Sequence, residues 1–136
     1  MRMIAAIAAL TGSAAGAAQP VPEGIHSLAE RAELCGMTAD TVPELEARLA
    51  AQLLPLPGNE RFTAYEDRQN FRVWTFTTSA HAAHPAVACR TATARPEGGS
   101  NLAMEISCFS TRENCDALYR EFEALNARTL EGLGVE

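Results

Sequence analysis

Four cysteines are the residues of this 136-residue chain with the clearest chemical meaning. They are Cys35, Cys89, Cys108 and Cys115. No two of them form a Cys-x-x-Cys pair, which is the spacing typical of structural zinc sites. An even number of cysteines in an exported chain is instead typical of disulfide bonds. We therefore predict two disulfides at these positions, with neither a zinc site nor a catalytic thiol.

The His-x-x-His sequence formed by His81 and His84 is the second candidate for chemistry. Two imidazoles three residues apart could share a zinc or copper ion if their loop turned suitably. A third ligand would have to come from a distant acidic residue or from His26. The alternative interpretation is two polar loop residues in front of Pro85, and it is the one that we favour.

Signatures of common catalytic and nucleotide-binding sites do not occur in the sequence. Neither His-Glu-x-x-His nor Gly-x-Ser-x-Gly is found, and Gly98-Gly99 lies in a predicted hairpin turn. All 11 basic residues are arginines, and the formal net charge is −6 without a basic cluster. This charge distribution argues against nucleic acid binding. The sequence therefore predicts no catalytic residue and no cofactor.

Residues 1–17 have the pattern of an export signal. Arg2 supplies a positive start, an apolar run follows over 3–10, and Ala15-Gly16-Ala17 fits the A-x-A cleavage pattern. A buried N-terminal helix is the alternative. The apolar run is shorter than the roughly 20 residues that a membrane span requires, and no longer one follows. We predict a periplasmic protein, with an extracellular location as the alternative, and no membrane span.

The full chain has 47% apolar and 21% charged residues, an ordinary composition for a globular protein, and the part that follows residue 17 has the length of one domain. Residues 18–26 include two prolines and predict a flexible lead-in. We expect a single α+β domain over residues 27–130. Residues 131–136 contain two glycines and are expected to form a tail.

Three segments show the apolar spacing of helices. A capping box at Ser27-Leu28-Ala29-Glu30 precedes a predicted helix over 28–35, and Gly36 is the expected stop. A second helix is predicted over 42–54, where leucines recur on one face. A third is predicted over 111–129. The apolar stripe of this last helix is Cys115, Leu118, Phe122 and Leu125.

Four segments show the period of strands, over 61–65, 71–78, 86–94 and 102–109. Short connections favour antiparallel pairing between neighbours in the chain, and helices must cover the apolar face of such a sheet. The predicted fold is therefore α+β in two layers. It has two N-terminal helices, an antiparallel four-stranded sheet, and a C-terminal helix packed on the sheet.

The pairing of the last two strands bears on Arg90, because an unpartnered arginine in a core is costly. We favour a register that places Arg90 outward and Cys89 opposite Cys108 over one that places Arg90 opposite Ile106. Arg90 and Glu105 then share a face and are expected to form an ion pair.

Three disulfide connectivities are open. We favour Cys35–Cys89, which ties the first predicted helix to the sheet, together with Cys108–Cys115, which closes a short loop. Cys35–Cys115 with Cys89–Cys108 is the next choice, and the third pairing stays open.

The strand over 71–78 carries aromatic residues on both faces: Trp74 and Phe76 on one, Phe71 on the other. One set faces outward unless both faces of the sheet are covered, and an outward set would be an apolar contact surface. Core burial is the commoner role of such residues. The sequence leaves open which face is exposed.

The function that the sequence favours is that of a small exported, disulfide-stabilised, non-enzymatic protein of the bacterial envelope. Its partner would be an unknown protein or a small envelope ligand, with Trp74 and Phe76 as candidate partner-binding residues. The second hypothesis is a small metal-binding protein or metal-dependent hydrolase that uses His81 and His84. A structural envelope component without a discrete ligand is the third.

Overall fold

The computed structural model describes residues 31–132. The predicted export signal over 1–17 and the lead-in over 18–26 lie outside the described residues. No helix in the described part of the chain is both long and apolar enough to cross a membrane. The elements are β1 (Ala32–Leu34), β2 (Met37–Ala39), α1 (Val42–Ala50), β3 (Leu54–Leu56), β4 (Phe62–Asp67), β5 (Arg72–Thr77), β6 (Ala86–Ala94), β7 (Ser100–Cys108) and α2 (Arg112–Gly132).

Strands β3 to β7 form one antiparallel sheet in which neighbours in the chain are also neighbours in space. Strands β1 and β2 form a separate two-stranded hairpin. The predicted strands over 61–65, 71–78, 86–94 and 102–109 correspond to β4 to β7. The sheet has a fifth strand, β3, at its edge, where Pro55 is tolerated because an edge strand leaves some backbone groups unpaired.

The prediction of two N-terminal helices and a two-layer, four-stranded arrangement is wrong. Ala32–Leu34 is a strand, although it falls within the predicted helix over 28–35. Cys35 and Gly36 form the two-residue turn to β2 and have φ angles of 51° and 78°. Positive φ at both positions is the geometry of a type I′ hairpin turn, for which glycine is well suited. Gly36 therefore marks a hairpin turn and not the end of a helix.

Helix α1 begins as predicted but ends at Ala50, before the predicted end at residue 54. The Thr41 hydroxyl accepts a hydrogen bond from the Glu44 amide at 3.1 Å, and the Glu44 carboxylate accepts one from the Asp40 amide at 2.8 Å. The first bond satisfies a backbone donor that the first helical turn leaves free, and the second ties the residue before the N-cap to that turn.

Each face of the sheet carries its own apolar core. On one face, Trp74 and Phe76 pack in a cluster with residues of the β1–β2 hairpin and α1, including Leu45. On the other face, α2 contributes Leu118 and Phe122 to a cluster with small residues of β6. Helix α1 and the β1–β2 hairpin cover one face of the sheet, and α2 covers the other. The structure therefore has three layers where two were predicted.

Strands β6 and β7 pair in a register different from the predicted one. Cys89 lies opposite Glu105 and not opposite Cys108, and Arg90 lies opposite Met104. Arg90 therefore faces α2, while Glu105 lies on the other face of the sheet and accepts a hydrogen bond from the Cys35 amide at 2.8 Å. The predicted outward position of Arg90 and its ion pair with Glu105 are both wrong.

Two disulfides join the elements, Cys35–Cys89 and Cys108–Cys115. This is the connectivity that the sequence favours, although Cys35 lies in a hairpin turn and not in a helix. The first disulfide ties the β1–β2 hairpin to β6, and the second ties the end of β7 to the start of α2. Disulfides persist in oxidising compartments, so they indicate a non-cytoplasmic environment.

Candidate ligand-binding site

A cleft of about 400 Å³ lies between the later turns of α2 and the part of the sheet formed by β4 and β5. Its volume falls within the range of roughly 300–1,000 Å³ that ligand pockets occupy. Among the strands, α2 packs most closely against β7, which leaves this part of the same face less covered. The apolar lining is Leu56, Phe62, Ala64, Val73, Phe122 and Leu125, and the polar lining includes Asn59, Arg61, Thr75, Arg90, Glu121 and Arg128.

Arg90 is the partly buried cation of this cleft. Its Nη1 donates to Oδ1 of Asn126 at 3.1 Å, and its guanidinium carbon lies 5.7 Å from the centre of the Phe122 ring. Its Nε is buried and has no hydrogen-bond partner among the described residues. Burial lowers the pKa of Arg90 from its ordinary value. The neutral amide and the ring face explain how an arginine is tolerated here, but they supply no compensating negative charge.

Thr75 is the second polar residue with an unused hydrogen-bonding atom. It is 7% exposed, and its Oγ1 has no hydrogen-bond partner among the residues described. Thr75 pairs with Ala88 and Val73 pairs with Arg90, so Thr75 and Arg90 are diagonal neighbours on one face of β5 and β6. The floor of the cleft therefore places an unpartnered hydroxyl close to an unpartnered guanidinium nitrogen.

Replacing Thr75 with valine is expected to raise the free energy of unfolding by about 1 kcal/mol, because a methyl group replaces a buried, unpartnered hydroxyl of the same shape. Urea denaturation of the purified protein measures this change. Ser107→Ala is the parallel variant and is expected to gain stability for the same reason, since Ser107 is buried on the opposite face of the sheet and its Oγ has no partner among the described residues. A clear loss of stability in Thr75→Val would contradict the assignment.

Glu121 joins Arg61 and His81 at one end of the cleft. Its carboxylate lies 2.9 Å from Arg61 Nη1 and 3.1 Å from His81 Nε2. The Ala83 amide donates to His81 Nδ1 at 2.9 Å, so Nδ1 is an acceptor and Nε2 carries the proton donated to Glu121. Burial raises the pKa of Glu121, but the hydrogen bonds from His81 and Arg61 and the positive charge of Arg61 together outweigh it, and the net pKa is lowered.

The lowered pKa of Glu121 gives a pH dependence with a defined sign. Its contribution to stability is present above the ordinary glutamate pKa of about 4.3 and is lost as the pH falls through the lower pKa of the folded state. Glu121→Gln is therefore expected to reduce stability at neutral pH, with the difference from wild type shrinking in acid. Urea denaturation at pH 7 and pH 3 tests this, with the exposed Glu123→Gln as control. A difference that stays constant between these pH values would contradict the prediction.

The structure does not bring His81 and His84 to common ligand positions. His81 is buried and bonded through both ring nitrogens, while His84 is exposed and its Nδ1 lies 3.0 Å from the Thr77 carbonyl oxygen. Within residues 31–132 there is no group of three or more His, Cys, Asp or Glu residues arranged to hold a metal ion. A metal at His81 would have to displace the hydrogen bonds to Glu121 or to the Ala83 amide.

The candidate partner-binding residues Trp74 and Phe76 are 1% and 0% exposed. Both lie in the core beneath the β1–β2 hairpin and α1, on the face of the sheet opposite the cleft. Sequence reasoning missed Thr75 and Arg90 as site residues. The signal that was available is Arg90 itself, a charge that follows Ala86 and Ala88 at the period of a buried strand face.

No protein-family model, curated protein or solved structure matches this chain. The geometry and chemistry of the cleft are therefore the basis for assigning a function.

Proposed function

We propose that this chain is a small, non-enzymatic, exported protein of the bacterial envelope that binds a small ligand with an apolar body in the cleft beneath α2. The observation that supports the proposal is the floor of the cleft, which Thr75 and Arg90 line and where Thr75 Oγ1 and Arg90 Nε are buried without a partner in residues 31–132. Buried polar atoms in folded proteins nearly always have partners. A ligand with a polar end would supply them.

The two disulfides and the predicted leader over 1–17 support export, with the periplasm as the destination and the extracellular medium as the alternative. Cys108–Cys115 holds only the start of α2 to the sheet. The residues of α2 that border the cleft, Glu121 to Arg128, lie further along the helix. The helix is thus anchored at one end while its later turns form one wall of the cleft.

The polar groups of the cleft suit binding better than catalysis. The carboxylate of Glu121 is held by two donors, and its lowered pKa makes it a weak base. The Thr75 hydroxyl has no general base among the described residues within hydrogen-bonding distance. These features support a binding protein.

Titration with the neutral fluorescent dye N-phenylnaphthylamine tests this proposal. We expect saturable binding of one dye molecule by the oxidised wild type. Ala64→Phe places a ring in the cleft and is expected to weaken dye binding at least about tenfold, since a buried aromatic ring fills much of the apolar space. Ala103→Phe, at an exposed position of β7 on the other face, is the control and should bind as wild type does.

Near-UV circular dichroism of Trp74 shows whether each variant keeps the native packing. Ala64→Met is the milder substitution if Ala64→Phe does not fold. Absence of saturable dye binding by the wild type, or equal binding by the folded Ala64 and Ala103 variants, would overturn the proposal.

A further inference from the structure

The cleft is positively charged although the chain as a whole has a formal net charge of −6. Arg61, Arg90 and Arg128 line the cleft, and among the described residues that line it Glu121 is the one acidic residue. Arg61 is paired with Glu121. Within the described part of the chain, Arg90 and Arg128 form no ion pair. An isolated positive region in an acidic protein favours an anionic group over a neutral or cationic one.

Burial distinguishes the two unpaired arginines. Arg128 is exposed, so water solvates its charge, whereas Arg90 is partly buried against the Phe122 ring. Removing a cation from water without a counter-charge is unfavourable, and the Asn126 amide oxygen is a neutral acceptor. Arg90 is therefore the residue that gains most from a bound anion.

The neighbours of Arg90 define the shape of that anion. A planar guanidinium binds a carboxylate through two parallel hydrogen bonds, and the diagonal Thr75 hydroxyl can donate to one of the same oxygens. Val73, directly opposite Arg90, and Ala64, directly opposite Thr75, continue the floor as an apolar surface. Phe122 closes the cleft from α2.

We propose that the ligand is a carboxylate with an apolar tail, of the class of a medium-chain fatty acid, and that Arg90 and Thr75 bind its head group. This inference rests on the proposed function, because it names the chemistry of a ligand for the same cleft. One partly buried, uncompensated guanidinium matches one negative charge. Inorganic phosphate carries more negative charge and is therefore repelled more strongly by the net negative charge of the chain. It also has no apolar tail to fill the cleft.

Competition against bound N-phenylnaphthylamine tests the head group and the tail separately. The probes are decanoate, decanol with the same chain but no charge, decylamine with the opposite charge, and acetate and inorganic phosphate without a chain. Decanoate is expected to bind at least about tenfold more tightly than decanol or decylamine, since hydrogen bonds to a charged group are stronger than those to a neutral one. Acetate and phosphate should not displace the dye at concentrations that saturate with decanoate.

If decanol binds as tightly as decanoate or more tightly, the proposal of an anionic head group is overturned, while the proposal that the cleft binds a ligand stands. If phosphate displaces the dye and decanoate does not, the ligand is an inorganic anion, and the proposal of a carboxylate with an apolar tail is overturned. If the wild type does not bind the dye at all, the proposed ligand-binding function itself is wrong. This result is distinct from one in which the dye binds but decanoate is not preferred.

Single substitutions test which residues bind the carboxylate head group. Arg90→Gln is expected to weaken decanoate binding about 10- to 100-fold and to leave decanol binding nearly unchanged. Thr75→Val should weaken decanoate binding by a smaller factor, about fivefold, while Ser107→Ala has no effect. Arg68→Gln, in the exposed turn between β4 and β5, is the matched charge control.

If Arg90→Gln does not fold, Arg90→Lys keeps the charge, and it should retain the preference for decanoate over decanol with reduced affinity. Loss of decanoate and decanol binding by equal factors in the folded Arg90→Gln variant would overturn the role of Arg90.

Discussion

Replacing Cys35 and Cys89 together with alanine is expected to lower the free energy of unfolding by roughly 4 kcal/mol. The two residues are 54 positions apart, so their disulfide removes much of the conformational freedom of the unfolded chain. It also holds the β1–β2 hairpin, whose strands have three residues each, over the core that contains Trp74. Urea denaturation monitored by Trp74 fluorescence measures the loss.

The Cys108→Ala/Cys115→Ala double variant is the matched control. Its disulfide spans seven positions, for which the same chain-entropy relation gives roughly 2.5 kcal/mol. A larger loss in this control than in the Cys35/Cys89 variant would contradict the assignment of the larger contribution to Cys35–Cys89. We also expect the emission of Trp74 in the folded Cys35/Cys89 variant to shift to longer wavelength, because a loosened hairpin admits water to the indole.

Trp74→Ala is expected to lower the free energy of unfolding by about 3–5 kcal/mol, the usual range for removing a large aromatic side chain from a core. Trp74 is 1% exposed and packs with residues of β1, β2 and α1. Thermal denaturation followed by far-UV circular dichroism measures the change, and Trp74→Phe should have a clearly smaller effect. A change below about 0.5 kcal/mol would indicate a surface residue and contradict the core assignment.

Hydrophobic period and capping chemistry were sufficient to predict the longer elements. The strands β4 to β7 and the helix α2 each extend over enough residues for the pattern to be distinctive. Strands β1 and β2 have three residues each, too few to define a period. Ala32 is compatible with the spacing of either structure, and the two-residue turn at Cys35 and Gly36 decides in favour of a hairpin. The disulfide to Cys89 and packing on the sheet then hold the hairpin in place.

The predicted register of β6 and β7 is wrong for a different reason. The prediction placed Arg90 outward because a core arginine without a partner is costly. In the structure the Asn126 amide and the Phe122 ring, both from α2, offset part of that cost, and Asn126 lies 36 positions along the chain from Arg90. Local pattern contains no information about contacts of this kind, so they could not be predicted from the strand itself.

The cleft could not be predicted for the same reason. Its walls come from the β3–β4 connection, from β4, β5 and β6, and from the later turns of α2. Thr75 has the appearance of an ordinary strand residue in the sequence, and its unpartnered hydroxyl becomes evident when the sheet and helix are assembled. The sequence drew attention to the histidine spacing and to the aromatic residues of one strand. Neither feature forms this site, apart from the contact of His81 with Glu121.

An amide NMR titration of the oxidised protein with decanoate tests directly whether a small amphipathic ligand occupies the cleft beneath α2. We expect the largest shift changes at Ala64, Val73, Thr75, Arg90 and Phe122, with saturation at one equivalent. The amides of the β1–β2 hairpin and α1, on the opposite face of the sheet, should stay unchanged. Saturable shifts confined to that opposite face would contradict binding in the cleft.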